Sequence, residues 1–320
     1  MNKIDAWLLT EGAHGMISQV EGLAKALNAN YQHKKIIYNS FWNFFPPALS
    51  PKKSIVFNFE EIINEKTEIQ RPALLISCGR KSVIPSIVLK NFFEKKNNKK
   101  IFNIHIQDPK ISPINFDFII TPEHDSLKGD NIIKSKGAIH YISNEEIEMA
   151  RQNTKSKNSL TVVLGGPNQY YSFSLEELKA IFHRIDRFFS DTVDEVKIIA
   201  SRRTPEEVIN FLKEKYLNNS KIVVDSSLSR QNYVQALAEA KKIIMTSDSI
   251  SMISEAATTG TPIYLAQLKA KKNDYRFNKF VELFKSLNIT KDLDTNEEHW
   301  TYDKLYETKR IAEMLKTKII

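Results

Sequence analysis

Residues 246–265 read Thr-Ser-Asp-Ser-Ile-Ser-Met-Ile-Ser-Glu-Ala-Ala-Thr-Thr-Gly-Thr-Pro-Ile-Tyr-Leu. The apolar run Lys242-Ile243-Ile244-Met245 before them has the pattern of a buried parallel strand. Small polar residues follow, Thr246 to Ser249, and then a helical pattern that stops at Gly260, a natural left-handed terminator. Thr261-Pro262 breaks the chain and Ile263-Tyr264-Leu265 begins another strand. A strand, a polar turn and a helix N-terminus make an anion site, because unpaired N–H groups and the helix dipole face the ligand. Ser247, Asp248, Ser249, Ser251 and Met252 are the candidates around that turn. Glu255 lies further into the helix, where a carboxylate accepts hydrogen bonds from a ribose diol. An ordinary strand–helix crossover with a solvated glutamate has the same local pattern, so the rest of the chain must decide.

Working outward, the same alternation fills both halves. In the second half, Leu160 to Leu164 reads as a strand ending at Gly165-Gly166-Pro167-Asn168. Ser174-Leu175-Glu176-Glu177 is a capping box opening a helix. Val196 to Ala200 is a strand ending at Ser201-Arg202-Arg203, and Thr204-Pro205-Glu206-Glu207 reads as a second capping box with proline in the first turn. Ile222 to Val224 is a strand, and Tyr233 to Ala240 a helix leading into the opening element. In the first half, Ile4 to Leu9 is a strand running into Glu11-Gly12-Ala13-His14-Gly15 and a helix through Val20, Leu23, Ala24 and Leu27. Gly12 and Gly15 let the backbone approach a ligand; the spacing is not the dinucleotide fingerprint. His14 is either a general base at a cleft edge or a loop histidine bonding backbone. Ala73 to Cys78 is a strand ending at Gly79-Arg80. Lys100 to Ile106 ends at Gln107-Asp108-Pro109, and Phe116 to Ile120 ends at Thr121-Pro122-Glu123-His124. Arg80, Gln107, Asp108 and His124 are candidates for the acceptor side of a cleft.

Phe41-Trp42-Asn43-Phe44-Phe45-Pro46-Pro47-Ala48-Leu49 is too rich in proline for a helix interior. It is either core beneath a loop, or an exposed apolar patch whose rim of Lys34, Lys35, Lys52 and Lys53 suits a bilayer surface or a lipid-linked acceptor.

The chain has 320 residues, more than one core usually holds, and 42% hydrophobic with 26% charged residues fits a globular protein. Two domains are expected, 1–150 and 151–320, joined through the polar stretch 144–159 and closed by a last helix near 303–318. Strand–helix alternation makes each an α/β domain with a parallel sheet. Ligand-type turns at strand ends in both halves put the site in a cleft between them. One cysteine, Cys78, fits a reducing compartment, and no apolar run has the length of a membrane span. We therefore expect a cytoplasmic protein, peripheral at most to an inner membrane. The net charge of +8 suits nucleotide phosphates or anionic lipid. Basic motifs interleaved with aromatics are missing, so no nucleic-acid partner is expected. Histidines 105, 124 and 140 lack a ligand spacing, so no metal site and no cofactor are expected.

Taken together, Glu11 to Gly15 with Gln19 and Gly22-Leu23-Ala24, then Gly79-Arg80, Gln107-Asp108-Pro109, Leu164 to Pro167, Ser201 to Thr204, and Ser247 through Ala257 resemble the mitochondrial-fission family named for elongated mitochondria. The resemblance covers nearly the whole chain. It implies two Rossmann-like domains in the GT-B arrangement, and a bacterial member. A more distant similarity runs to the transferase that adds N-acetylglucosamine to the lipid-linked peptidoglycan precursor. That similarity implies a nucleotide-sugar donor, a histidine at position 14 in the first turn, and a ribose contact at Glu255. The chain departs from that enzyme at Glu11-Gly12-Ala13 and at Ser201-Arg202-Arg203. The expected activity is metal-independent glycosyl transfer. The rival expectation is a non-catalytic membrane adaptor that keeps the fold.

Overall fold

The computed structural model describes residues 3–66, 68–123, 125–152, 157–188, 193–295 and 299–319. The chain divides into two compact units, one formed by Met1–Tyr141 with Glu307–Ile320, the other by Ile142–Tyr306. In the first unit, strands β1 (Asp5–Thr10), β2 (Asn30–Lys35), β3 (Leu74–Cys78), β4 (Phe102–Ile106), β5 (Phe118–Pro122) and β6 (Ile132–Ser135) form one parallel sheet in the order β2-β1-β3-β4-β5-β6. The period of two along β1 sends Ala6 and Leu8 to one core and Trp7 and Leu9 to the other. Helix α1 (His14–Ala26) covers the first face with Val20, Leu23 and Ala24; the second is covered by α3 (Val83–Asn97), whose Val83, Ile84 and Ile87 are buried. A short helix, α2 (Phe59–Asn64), adds Ile62 to that second core.

In the second unit, β7 (Ser159–Leu164), β8 (Glu195–Ala200), β9 (Ile222–Asp225), β10 (Ala240–Thr246), β11 (Ile263–Ala266) and β12 (Thr290–Asp292) are again all parallel, in the order β12-β11-β10-β7-β8-β9. Helices α5 (Leu175–Ile185), α6 (Glu206–Lys215), α7 (Arg230–Glu239), α8 (Ile250–Ala257) and α9 (Tyr275–Ser286) connect them. Both sheets reverse direction of travel beside their first strand: between β1 and β3, and between β7 and β10. Such switch points leave a crevice at the carboxyl ends of the strands, the usual ligand site of open α/β sheets.

Several sequence expectations need correcting. The stretch 144–159, a linker by its polar composition, carries α4 (Asn144–Gln152), which buries Ile147 and Ala150; 153–156 lie outside the described residues. The capping box at Ser174 is present, with Glu177 N–H bonded to Ser174 Oγ and the Glu177 carboxylate accepting the Ser174 N–H. The second one does not form. Pro205 is the N-cap of α6, and the Thr204 hydroxyl is instead spent on the Gly165 carbonyl (2.6 Å). Gly260 is left-handed at φ 75°, but it lies two residues beyond Thr258, the C-cap of α8.

The last helix, α10 (Glu307–Ile319), belongs to the first unit. Its Ile311, Ala312 and Leu315 share a core with Val20 and Leu23. Glu307 is buried, accepting the Lys136 N–H at 2.8 Å and an Arg310 guanidinium N–H at 2.7 Å. Thr308 exchanges two hydrogen bonds with the His140 backbone. Because Leu315 is fully buried, Leu315→Ala should cost about 2–5 kcal/mol by lost burial and the cavity left behind. Denaturant unfolding checks this through a lowered midpoint with an unchanged slope.

Candidate functional site

The switch point of the second unit is built around one carboxylate. Asp248, at the end of β10, has a side chain with no solvent exposure. Its oxygens accept from Thr246 Oγ1 (2.7 Å), the Gly166 N–H (3.1 Å) and Arg203 Nη2 (2.8 Å). Arg203 also donates to the Gly166 carbonyl at 2.8 Å, and the Gly165 N–H donates to Thr246 Oγ1 at 2.8 Å. The loops after β7, β8 and β10 are thus tied at a single point. Gly165 and Gly166 are required by this closeness, since a Cβ on the first would overlap the Asp248 carboxylate and one on the second the Arg203 carbonyl.

Around this knot the sequence candidates fall into two groups. Gly165, Gly166, Asn168, Ser201, Arg203, Thr204 and Asp248 bind one another, while Ser247 binds the neighbouring segment after β11. Asn168 donates to the Asp248 carbonyl (3.1 Å) and its own Oδ1 accepts from the Tyr170 and Tyr171 N–H groups. Ser201 and Thr204 hold the turn after β8, and Ser247 Oγ accepts the Leu268 N–H at 3.1 Å. Ser249, Ser251, Met252 and Glu255 lie along α8, whose N-cap Ser249 accepts the Met252 N–H. Arg202, by contrast, is exposed and joins no ion pair among the described residues. The charge of Arg203 is already committed to Asp248, whereas Arg202 keeps its own.

Glu255 is 9% exposed and takes a hydrogen bond from the Tyr233 hydroxyl at 3.0 Å to Oε2. Burial pushes its carboxyl up to about 7, against the Tyr233 hydrogen bond and the nearby Arg230 charge, which favour the ionised form. Its Oε1 accepts no hydrogen bond from the described residues. Arg230, at the start of α7, is itself held by Glu146 of α4 (Nη2 to Oε2, 2.6 Å). The sequence reading missed Tyr233 and Arg230. Their only signal was the helix boundary just before them, where Ser229 caps the Asn232 N–H.

In the first unit the same position holds Gly12, His14, Gly15, Gly79 and Arg80. His14 is the first residue of α1 and is exposed, and Gln19 donates to the Gly15 carbonyl at 3.0 Å. Lys81 pairs with Glu11 at 3.3 Å, joining the loops after β1 and β3. Gly79 is left-handed at φ 89°, and a Cβ there would lie 2.6 Å from the Met16 sulfur. Arg80 Nη2 reaches the Asn43 carbonyl at 3.5 Å, bringing the aromatic stretch beside this end of the sheet. Gln107 and Asp108 lie one strand further along, after β4. Gln107 is left-handed at φ 87°, a strain of order 1–3 kcal/mol for a residue with a side chain, and Asp108 is bonded to Lys110. His124 lies outside the described residues. Phe41 and Phe44 are exposed, at 64% and 85%, while Trp42 and Phe45 are half-buried, so the stretch is a surface and not core beneath a loop.

Residues 14–319 match the family described as Mitochondrial fission ELM1. The chain belongs to that family. Its relatives include the uncharacterised protein RP120 of Rickettsia prowazekii, 27% identical over 98% of each chain. The mitochondrial fission protein ELM1 of Arabidopsis thaliana is 22% identical, over 78% of this chain and 64% of that one. Among solved structures, the glycosyltransferase SnogD of Streptomyces nogalater aligns with a TM-score of 0.53 at 10% identity, over 99% of this chain and 95% of that one. A UDP-GlcNAc 2-epimerase of Methanocaldococcus jannaschii, in complex with UDP-GlcNAc and UDP, aligns with a TM-score of 0.50 at 12% identity, over 99% and 100%. These likenesses establish the GT-B-like α/β fold.

The raised pKa of Glu255 has a defined sign. The folded state holds the proton more tightly than the unfolded chain, whose carboxyl titrates near 4.5. Stability from this group is therefore full below pH 4.5 and is lost as pH rises through about 7, by about 3 kcal/mol in all. Glu255→Gln should remove that decline, so the variant melts higher than the parent at pH 8 and about equally at pH 4.5. Thermal melts across this pH range measure it.

Proposed function

We propose that this protein is a metal-independent GT-B glycosyltransferase, with its nucleotide-sugar donor held by the second unit. The acceptor hydroxyl, in this reading, belongs to a lipid-linked or membrane-associated molecule and is handled by the first unit. The observation that carries the proposal is Glu255, a buried carboxylate on the helix at a switch point, with one oxygen fixed by Tyr233 and the other unclaimed. A ribose presents two adjacent hydroxyls, and such a carboxylate accepts from them. Support also comes from the neighbouring fold, seen with UDP-GlcNAc and UDP in the Methanocaldococcus epimerase. In the reaction, the acceptor oxygen attacks the anomeric carbon while the bond from that carbon to the diphosphate oxygen breaks. His14 takes the acceptor proton. The departing diphosphate is stabilised by Arg202 and by the first N–H groups of α8.

A second reading is a non-catalytic adaptor of the fission family, favoured by the exposed Phe41 and Phe44. The two readings separate on His14→Ala. As an enzyme, the protein loses about 10²–10⁴-fold in transfer rate without the general base, while nucleotide affinity is unchanged. As an adaptor, it keeps its cellular activity in both His14→Ala and Glu255→Ala.

Donor binding is tested by thermal shift with UDP and UDP-GlcNAc. At 100 times the Kd, binding adds about 2.7 kcal/mol of stability. Glu255→Gln should weaken UDP binding about ten- to hundredfold, the loss of a hydrogen bond to a charged group. Binding of 2′,3′-dideoxy-UDP should be the same in both proteins. No shift with any nucleoside diphosphate at saturating concentration would sink the proposal.

A further inference from the structure

Six of the twelve exposed large apolar side chains among the described residues gather on one part of the first unit: Ile37, Phe41, Phe44, Leu49, Ile55 and Ile114. Isolated exposed apolar groups are ordinary, but a gathered set marks an interaction surface. The gathering is fixed by hydrogen bonds. Asn39 Nδ2 donates to the Ile55 carbonyl at 2.6 Å, and Asn58 Oδ1 accepts the Ile37 N–H at 3.0 Å. Phe41, Trp42 and Phe45 pack ring against ring at 4.9–5.7 Å. Lys52 Nζ bonds Asn115 Oδ1 at 2.6 Å, which brings Ile114, itself 87% exposed, to the same region. Pro46, Pro47 and Pro51 stiffen the segment, so its rings are presented with little conformational entropy left to lose.

Charge decides the occupant. Residues 34–59 contain four lysines and no acidic residue. Lys34 is buried against the Trp7 ring and paired with Glu65, leaving Lys35, Lys52 and Lys53 exposed at the rim. A symmetric contact with a second copy would set those lysines against their own counterparts. An anionic bilayer instead offers hydrocarbon to the rings and negative headgroups to the rim. We infer that the first unit docks on an anionic lipid bilayer through residues 35–55 and the turn at Ile114. Arg80 and Asn43 tie this surface to the strand ends that carry His14 and Gly79, so docking sets that end of the sheet beside the headgroups. The inference extends the proposed acceptor side, and vesicle binding is measured with no nucleotide present, so either can fail alone.

Flotation of the full chain with vesicles of phosphatidylcholine, and of phosphatidylcholine mixed with phosphatidylglycerol, tests it. Binding is expected to the mixed vesicles, weakened by salt and much lower on phosphatidylcholine alone. Phe44→Ser with Leu49→Ser should lower the partition about tenfold or more, and so should Lys52→Gln with Lys53→Gln. All four positions are exposed, and unchanged melting of each pair confirms the fold. Absence of binding to the mixed vesicles overturns the inference, as does binding that neither pair weakens. Gel filtration in which the Phe44/Leu49 pair dissolves a dimer, without vesicle binding by the parent, assigns the face to a second copy and overturns it too.

Discussion

The Asp248 carboxylate is the constraint on which the second unit's switch point depends. Taking a carboxylate out of water costs several kcal/mol, and the cost is offset only when its oxygens are filled. Three donors fill them: the hydroxyl of Thr246 at the end of the same strand, a backbone N–H from the loop after β7 and a guanidinium from the loop after β8. That requirement reaches outward. It admits only glycine at 165 and 166, fixes the rotamer of Arg203, and sets where α8 begins. A ligand arriving at this crevice meets an already satisfied polar network, with Arg202, the first turn of α8 and Glu255 left to engage it.

The first unit uses the same topology with a looser device. Its loops after β1 and β3 are joined by the Lys81–Glu11 pair, both side chains about 30% exposed, and such pairs are worth little in water. One switch point is thus held by a filled, fully buried carboxylate and the other by a partly exposed ion pair, beside which His14 stands exposed.

Much of the fold was legible because buried parallel strands are dense apolar runs; 73–78, 160–164 and 242–245 could hardly be read otherwise. What escaped lacks that signal. Edge strand β2 reads Asn-Tyr-Gln-His-Lys-Lys and buries only Lys34, whose stem and ammonium sit against Trp7. Helix α4 is mostly polar, and only Ile147 and Ala150 mark its buried side. Within the site, residue types at strand ends were readable and their allegiances were not. Arg203 and Thr204 have the chemistry of phosphate contacts, yet both, like Asp248, are occupied by partners far away in sequence. Thr204 is the sharpest case. The pattern Thr-Pro-Glu-Glu favours a cap, and the tertiary hydrogen bond to Gly165 takes the hydroxyl first. The stretch Phe41 to Leu49 reads from sequence rather more as core beneath a loop than as the surface it is, because composition alone does not say whether anything lies above a ring.

The helix Glu307–Ile319 has a consequence for how the protein is made. It completes the core of a unit whose other elements all precede Ile142, so the earliest part of the chain to leave the ribosome is the last to be finished. Until α10 arrives, the part of that core filled by Ile311, Ala312 and Leu315 is missing, and a half-built domain of this kind is prone to stray association. The second unit, contiguous from Ile142 to Tyr306, faces no such delay. Synthesis therefore runs against folding order, because the strands and helices of the first unit emerge well before the helix that closes their core.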